Sequence, residues 1–215
     1  VVTRAIVKVP AVEAKLLAKG VAYARIVQFQ EGTWHELAEK LAALARQNGH
    51  ALAGIVLDLR DNPGGLFDQG VKVADLFVRE GVLVSSIGRG GQDLGKELAH
   101  AEGAYETLPV CVLVNEQTAS AAEIVAGALQ DHHRAKLVGA KTFGKGSVQS
   151  MVQFDDKSGL KLTIARYLTP SGRSIQDKGI VPDILVPTPK TAPGRDASGT
   201  IDRAEGAPAR GPAPP

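Results

Sequence analysis

Two stretches of this chain repeat one pattern, a short apolar strand that runs through a turn of small residues directly into a helix, and this pattern limits the possible folds most. The apolar run Ala51–Leu59 reads as a strand buried on both faces, Asn62-Pro63-Gly64-Gly65 as the turn, and the residues around Leu66–Phe77 as the helix. The same order returns in Pro109–Val114, the connection Asn115–Ala119 and a helix over Ser120–Gln130. Such alternation packs helices on a largely parallel sheet, the α/β class. Residues 21–29 read as an earlier strand, and Thr33 with Glu36 as a capping box opening a helix over Trp34–Asn48. Leu37, Leu41, Leu44 and Ala45 share one face of that helix, and Gly49 stops it. Residues 136–140, 148–154 and 160–168 complete the strands, the last two forming a hairpin through Asp155–Gly159.

Composition excludes partners without naming one. Twenty-five Lys and Arg against 23 Asp and Glu leave a net charge of +2 in 215 residues, no electrostatic footprint for nucleic acid or an anionic membrane. A single cysteine, Cys111, excludes an internal disulfide framework and every multi-cysteine metal site, and its apolar neighbours read as a buried strand. The acids show no metal-ligand spacing with histidines. Gly90–Lys96 and Gly139–Lys145 come near the phosphate-binding loop pattern but lack the Ser or Thr that would hold magnesium, so no nucleotide and no other cofactor is expected. Seven of the 12 prolines fall in Pro187–Pro215, where Ile201 is the only large aliphatic side chain, so that segment reads as a flexible tail. Residues 4–9 alternate as a strand ending at Pro10, the remnant of a preceding module or a linker. Residues 11–186 remain as one compact unit.

Three segments carry candidate chemistry. Ser120-x-x-Glu123 is by itself an N-terminal capping box. A hydroxyl at a helix N-terminus also lies beside free backbone N–H groups able to hold an oxyanion, and Ala119, Ala121 and Ala122 leave room for a peptide to approach. A serine needs a base. His132 and His133 lie at the far end of the same helix, roughly 18 Å along its axis, and suit a surface pair at the negative end of the dipole. Lys145 in Gly144-Lys145-Gly146 is the better base, provided that burial lowers an amine from ~10.4 to about 7–8. Without context a glycine-flanked lysine is a solvated loop residue. On a strand beginning at Lys145, Gln149 points to the same face and reaches the amine without holding it protonated. Asp58–Gly65 is a turn, or else its paired glycines expose a second oxyanion donor.

Taken together, Gly54–Leu66, Thr118–Ile124, Gly139-x-x-Thr142-x-Gly144-Lys145-Gly146-x-x-Gln149 and Gly179-Ile180-x-Pro182-Asp183 resemble the carboxyl-terminal processing peptidases, or tail-specific proteases. The resemblance runs from about Arg4 to Val186 and implies a crotonase-like (Clp protease/crotonase type) α/β core. It puts the nucleophile on Ser120, the general base on Lys145 and the orienting glutamine on Gln149. The oxyanion donors become the Ala121 N–H and one from Gly64 or Gly65, with Asp131 and Glu123 as supporting residues. It further implies protein or peptide substrates with apolar C-termini, a PDZ module before the core, of which residues 1–9 are at most the last strand, and an extracytoplasmic location. The alternative is a module on the same fold that binds peptides or apolar ligands without turnover. An acyl-CoA enzyme of the same fold is weaker, because it gives Lys145 and Gln149 no role.

Overall fold

The computed structural model describes residues 9–100 and 105–186, so the strand expected at 4–9 and the tail expected at 187–215 lie essentially outside the described residues. Ten strands and three helices follow in chain order: β1 (Val12–Leu16), β2 (Val21–Ile26), α1 (Thr33–Asn48), β3 (Gly54–Asp58), α2 (Phe67–Asp75), β4 (Val82–Ile87), β5 (Asp93–Leu98), β6 (Val110–Val114), α3 (Ala121–Asp131), β7 (Ala135–Gly139), β8 (Ser147–Gln153), β9 (Gly159–Leu168) and β10 (Ile184–Leu185). They form two sheets, ordered β1-β2-β3-β6-β7-β10 and β5-β4-β9-β8. In the first, only β1 runs antiparallel to its neighbour and every other pair is parallel, as the strand–turn–helix repeats require. The second is wholly antiparallel, and nothing in the reading of residues 82–98 anticipated it.

The helices cover one face of the first sheet. Leu37 and Leu41 of α1 are fully buried over β1 and β2, whose Ala22, Ala24 and Ile26 point toward them. Helix α3 lies over β7 and is buried on all sides from Ala121 to Leu129, because α2 flanks it and β4 covers it. Phe67 of α2 stacks on Tyr167 of β9 with ring centroids 5.0 Å apart, which clamps the second sheet to the helical layer. Burial pushes the Tyr167 hydroxyl up to about 12.

Several expectations are corrected here. Strand β3 is not fully buried on both faces: Val56, with Cys111 and Leu113 of β6 and Val138 of β7, is only half-buried, because no helix lies over that side among the described residues. Cys111 accordingly is half-buried too, and that burial raises its thiol above the ordinary value. Nor do Thr33 and Glu36 form a capping box. The cap is Gly32 at φ 82°, and Glu36 instead accepts the Ala11 N–H at 3.0 Å. His132 is likewise more than a surface residue, since its Nε2–H donates to Val82 O at 2.7 Å and ties α3 to β4.

Candidate active site

The turn from β6 into α3 forces Ser120 to φ 56° and ψ −119°, a region that side-chain-bearing residues rarely occupy and that costs on the order of 1–3 kcal/mol. Such strain lifts the serine out of the helix axis, as sharp strand-to-helix turns do for nucleophiles on other folds. What pays for it is Glu123. This fully buried carboxylate accepts the Ser120 N–H on Oε2 at 2.9 Å, while the Glu123 N–H donates to Ser120 O at 2.8 Å, so the Ser120–Glu123 cap read from the sequence is present.

Glu123 reaches further than a cap. Oε2 also accepts the Lys145 N–H at 2.8 Å, and Oε1 accepts the Gly144 N–H at 2.7 Å and the Thr142 hydroxyl at 2.6 Å. Four donors fill the acceptor positions of one carboxylate, and two of them belong to the residues singled out as nucleophile and base. The spacing Ser120-x-x-Glu123 predicted only the near half of this arrangement; the far half joins positions 22 residues apart.

Glycines pack the lysine loop tightly against the segment after β9. A Cβ on Gly146 would come within 2.5 Å of Gln176 N, and one on Gly179 within 2.4 Å of Thr142 O. Gly146 donates to Gln176 Oε1 at 3.1 Å and accepts from the Tyr167 N–H at 2.7 Å. Lys145 is half-buried. Among the described residues the bonds that join Lys145 and Ser120 to the site run from their backbone N–H groups to Glu123. Lys145 precedes β8, which begins at Ser147, and Gln149 of β8 is exposed; opposite it β9 bulges, Val148 pairing with Ala165 and Gln149 with Thr163.

The glycine turn lies against the serine. A Cβ on Gly64 (φ 96°) would meet Ser120 Cβ at 2.6 Å and Ala121 N at 3.0 Å, and one on Gly65 (φ 139°) would meet Phe29 O at 1.9 Å, so neither position admits a side chain. Asn62, read only as a turn residue, is fully buried here and takes the Gly64 N–H on its Oδ1 at 2.8 Å. Among the described residues the N–H groups of Gly65 and Ala121 have no protein acceptor. At the root of the turn, Asp58 is fully buried and accepts three bonds from Arg60 and one from the Tyr23 hydroxyl. Burial pushes the Asp58 carboxyl up, but the Arg60 and Tyr23 hydrogen bonds outweigh it and hold it below the ordinary value.

Asp131 lies elsewhere, at the far end of α3. It accepts the Ser171 N–H at 2.9 Å and pairs with the Arg173 guanidinium, fastening the turn after β9. Burial raises its carboxyl, and bonds from Thr169 and Ser171 together with the Arg173 charge bring it below the ordinary value.

Known proteins resemble this chain over most of its length. The family model described as Peptidase family S41 matches residues 20–186. The chain is 43% identical over 200 residues to the carboxy-terminal-processing protease of Bartonella bacilliformis, covering 92% of this chain and 46% of that protein. It is 41% identical over 191 residues to the carboxyl-terminal-processing protease of Synechocystis sp., covering 87% and 44%. The solved structure of the photosystem II D1 C-terminal processing protease matches with a TM-score of 0.75 at 35% identity, covering 86% of this chain and 50% of that one. The chain thus spans about half the length of the relatives it matches.

Proposed function

The chain belongs to peptidase family S41, and on that premise we propose that it is the catalytic part of a serine endopeptidase that cleaves protein substrates near their C-termini. Ser120 is the nucleophile and Lys145 the general base. The observation that carries this reading is the Glu123 carboxylate, which holds the backbones of Ser120 and Lys145 on a single oxygen. The amine takes the Ser120 proton as Oγ attacks the scissile carbonyl; the negative charge that develops on the carbonyl oxygen falls to the free N–H groups of Gly65 and Ala121. Gly64 is left out because its N–H is already engaged by Asn62. Collapse of the tetrahedral adduct returns the proton to the leaving amine, and Lys145 then activates a water to release the acyl group. Gln149 orients the amine once β8 brings the two side chains together. Asp131 serves the fold.

The core is of the crotonase-like type on this reading, the substrates are proteins with apolar C-termini, and the site of action is extracytoplasmic. No helix among the described residues is long and apolar enough to cross a membrane. The chemistry calls for no metal and no cofactor.

Replacing Ser120 or Lys145 by alanine tests the assignment. Each variant is expected to lose cleavage of an apolar-tailed peptide while melting as a folded protein, and a serine-directed phosphonate is expected to label the parent at Ser120 alone. Cleavage retained in either variant would overturn the pair, and failure of the label would favour the peptide-binding alternative.

A further inference from the structure

Asn62 makes more bonds than a turn requires. Its side-chain amide is held between two fixed partners: Nδ2 donates to Ile26 O at 2.8 Å, and Oδ1 accepts the Gly64 N–H at 2.8 Å. A carbonyl can only accept and an N–H can only donate, so the two neighbours dictate the amide's orientation. Its backbone carbonyl accepts the Ala119 N–H at 2.9 Å, one residue before the serine. Asn62 therefore joins the end of β2 and the glycine turn through its side chain and the serine turn through its backbone carbonyl, in one fully buried residue.

We propose that Asn62 is a positioning residue that selects the oxyanion donor, an inference that rests on the peptidase reading of Ser120. Two consecutive glycines offer two N–H groups, and a chain free at both could present either. By consuming the Gly64 N–H in an Asx turn, Asn62 leaves Gly65 as the donor of the glycine pair and fixes the Pro63–Gly64 peptide; the next peptide, which carries the Gly65 N–H, is held through its own carbonyl, Gly64 O, by the Phe29 N–H at 2.8 Å. The bond from the Ala119 N–H to Asn62 O ties the same turn to the residue before Ser120 and Ala121, so both donors of the pair refer to one frame. Removing the side chain frees the Gly64 N–H and orphans the buried Ile26 carbonyl, and the turn loses its preferred peptide orientation.

Two substitutions in the full chain separate this role from simple stability. Asn62→Ala is expected to lower kcat about 100-fold with KM within about threefold, the range seen when an oxyanion donor is lost or misplaced. Asn62→Ser keeps a hydroxyl able to accept the Gly64 N–H in the same turn, and should recover at least about tenfold of that loss. Affinity for a peptide boronate, whose adduct places an oxygen in the hole, should fall with kcat while affinity for the product peptide holds. A serine variant no better than alanine, or boronate and product affinities that fall together, overturns the proposal. Residue-resolved amide hydrogen exchange reads the same feature without turnover: the Gly64 N–H should be protected and the Gly65 N–H open in the parent, with Gly64 losing protection in Asn62→Ala. Protection of Gly65, or of Gly64 in the alanine variant, would also overturn it. That measurement still decides the role of Asn62 if Ser120→Ala were to cleave like the parent, the outcome that sinks the peptidase reading alone.

Discussion

At the scale of single residues, one buried carboxylate joins the backbones of Ser120 and Lys145. Glu123 is surrounded by donors only. Glu123→Gln preserves its shape but turns an NH2 group toward backbone N–H groups, leaving at least one donor unpaired at about 1–3 kcal/mol. In a domain of this size each kcal/mol shifts the melting midpoint by roughly 2–4 °C. We therefore expect a midpoint lower by about 2–12 °C and turnover reduced at least as strongly as in Lys145→Ala, read by a thermal melt and peptide cleavage. An unchanged midpoint would show that the four bonds contribute nothing. Ser120 and Lys145 are legible in the sequence as residue types in suitable settings, and the short-range half of the Glu123 network follows from capping rules. The bonds from Glu123 to Thr142, Gly144 and Lys145 are not legible, because no local spacing encodes a contact between a helix start and a loop beyond the next strand. Asn62 escaped for a similar reason: an Asx turn was foreseeable, but its bond to Ile26 O crosses from another strand.

At the scale of elements, regular periodicity marks what the sequence discloses. Helix α1, the β3 and β6 strands and α3 carry strong apolar patterns, and all are present. Strands β4 and β5 carry weak ones. Every residue of β5 is exposed, and the β4–β5 ladder breaks register between Val82 and Val84 and again between Ser86 and Ile87, so there is neither burial nor clean alternation to read. The bulge at Val148–Gln149 is invisible for the same reason: an extra residue in the partner strand leaves no trace in the sequence of β8. The glycine turn, by contrast, is legible and strict. Gly64→Ala must displace Ser120 Cβ, Ala119 O or both, at φ 96°. A shift of about 1 Å at a nucleophile costs on the order of 100-fold in rate, so this variant should label poorly at Ser120 even where it folds. Parent-like labelling kinetics would mean that the turn moves without the serine.

At the scale of the whole molecule, buried carboxylates set the response to acid. Asp58 and Asp131 both titrate below their ordinary value in the folded chain. A group whose folded pKa lies below its unfolded value of ~3.9 binds more protons when unfolded, so its contribution is complete above about pH 5 and fades as pH falls through the folded value. The denaturant midpoint is expected to decline below about pH 4, and Asp58→Asn combined with Asp131→Asn should lower the neutral-pH midpoint while flattening that decline. A decline of equal slope in the double variant would assign acid sensitivity to other groups.

The donors around Glu123 come from both sides of the connection that passes through β7. A chain leaving the ribosome completes α3 before the loop that bears Lys145 exists, so for that interval the carboxylate has only the Ser120 N–H of its own cap for a partner. The four-donor arrangement thereby forms only once β7 and the loop after it have emerged.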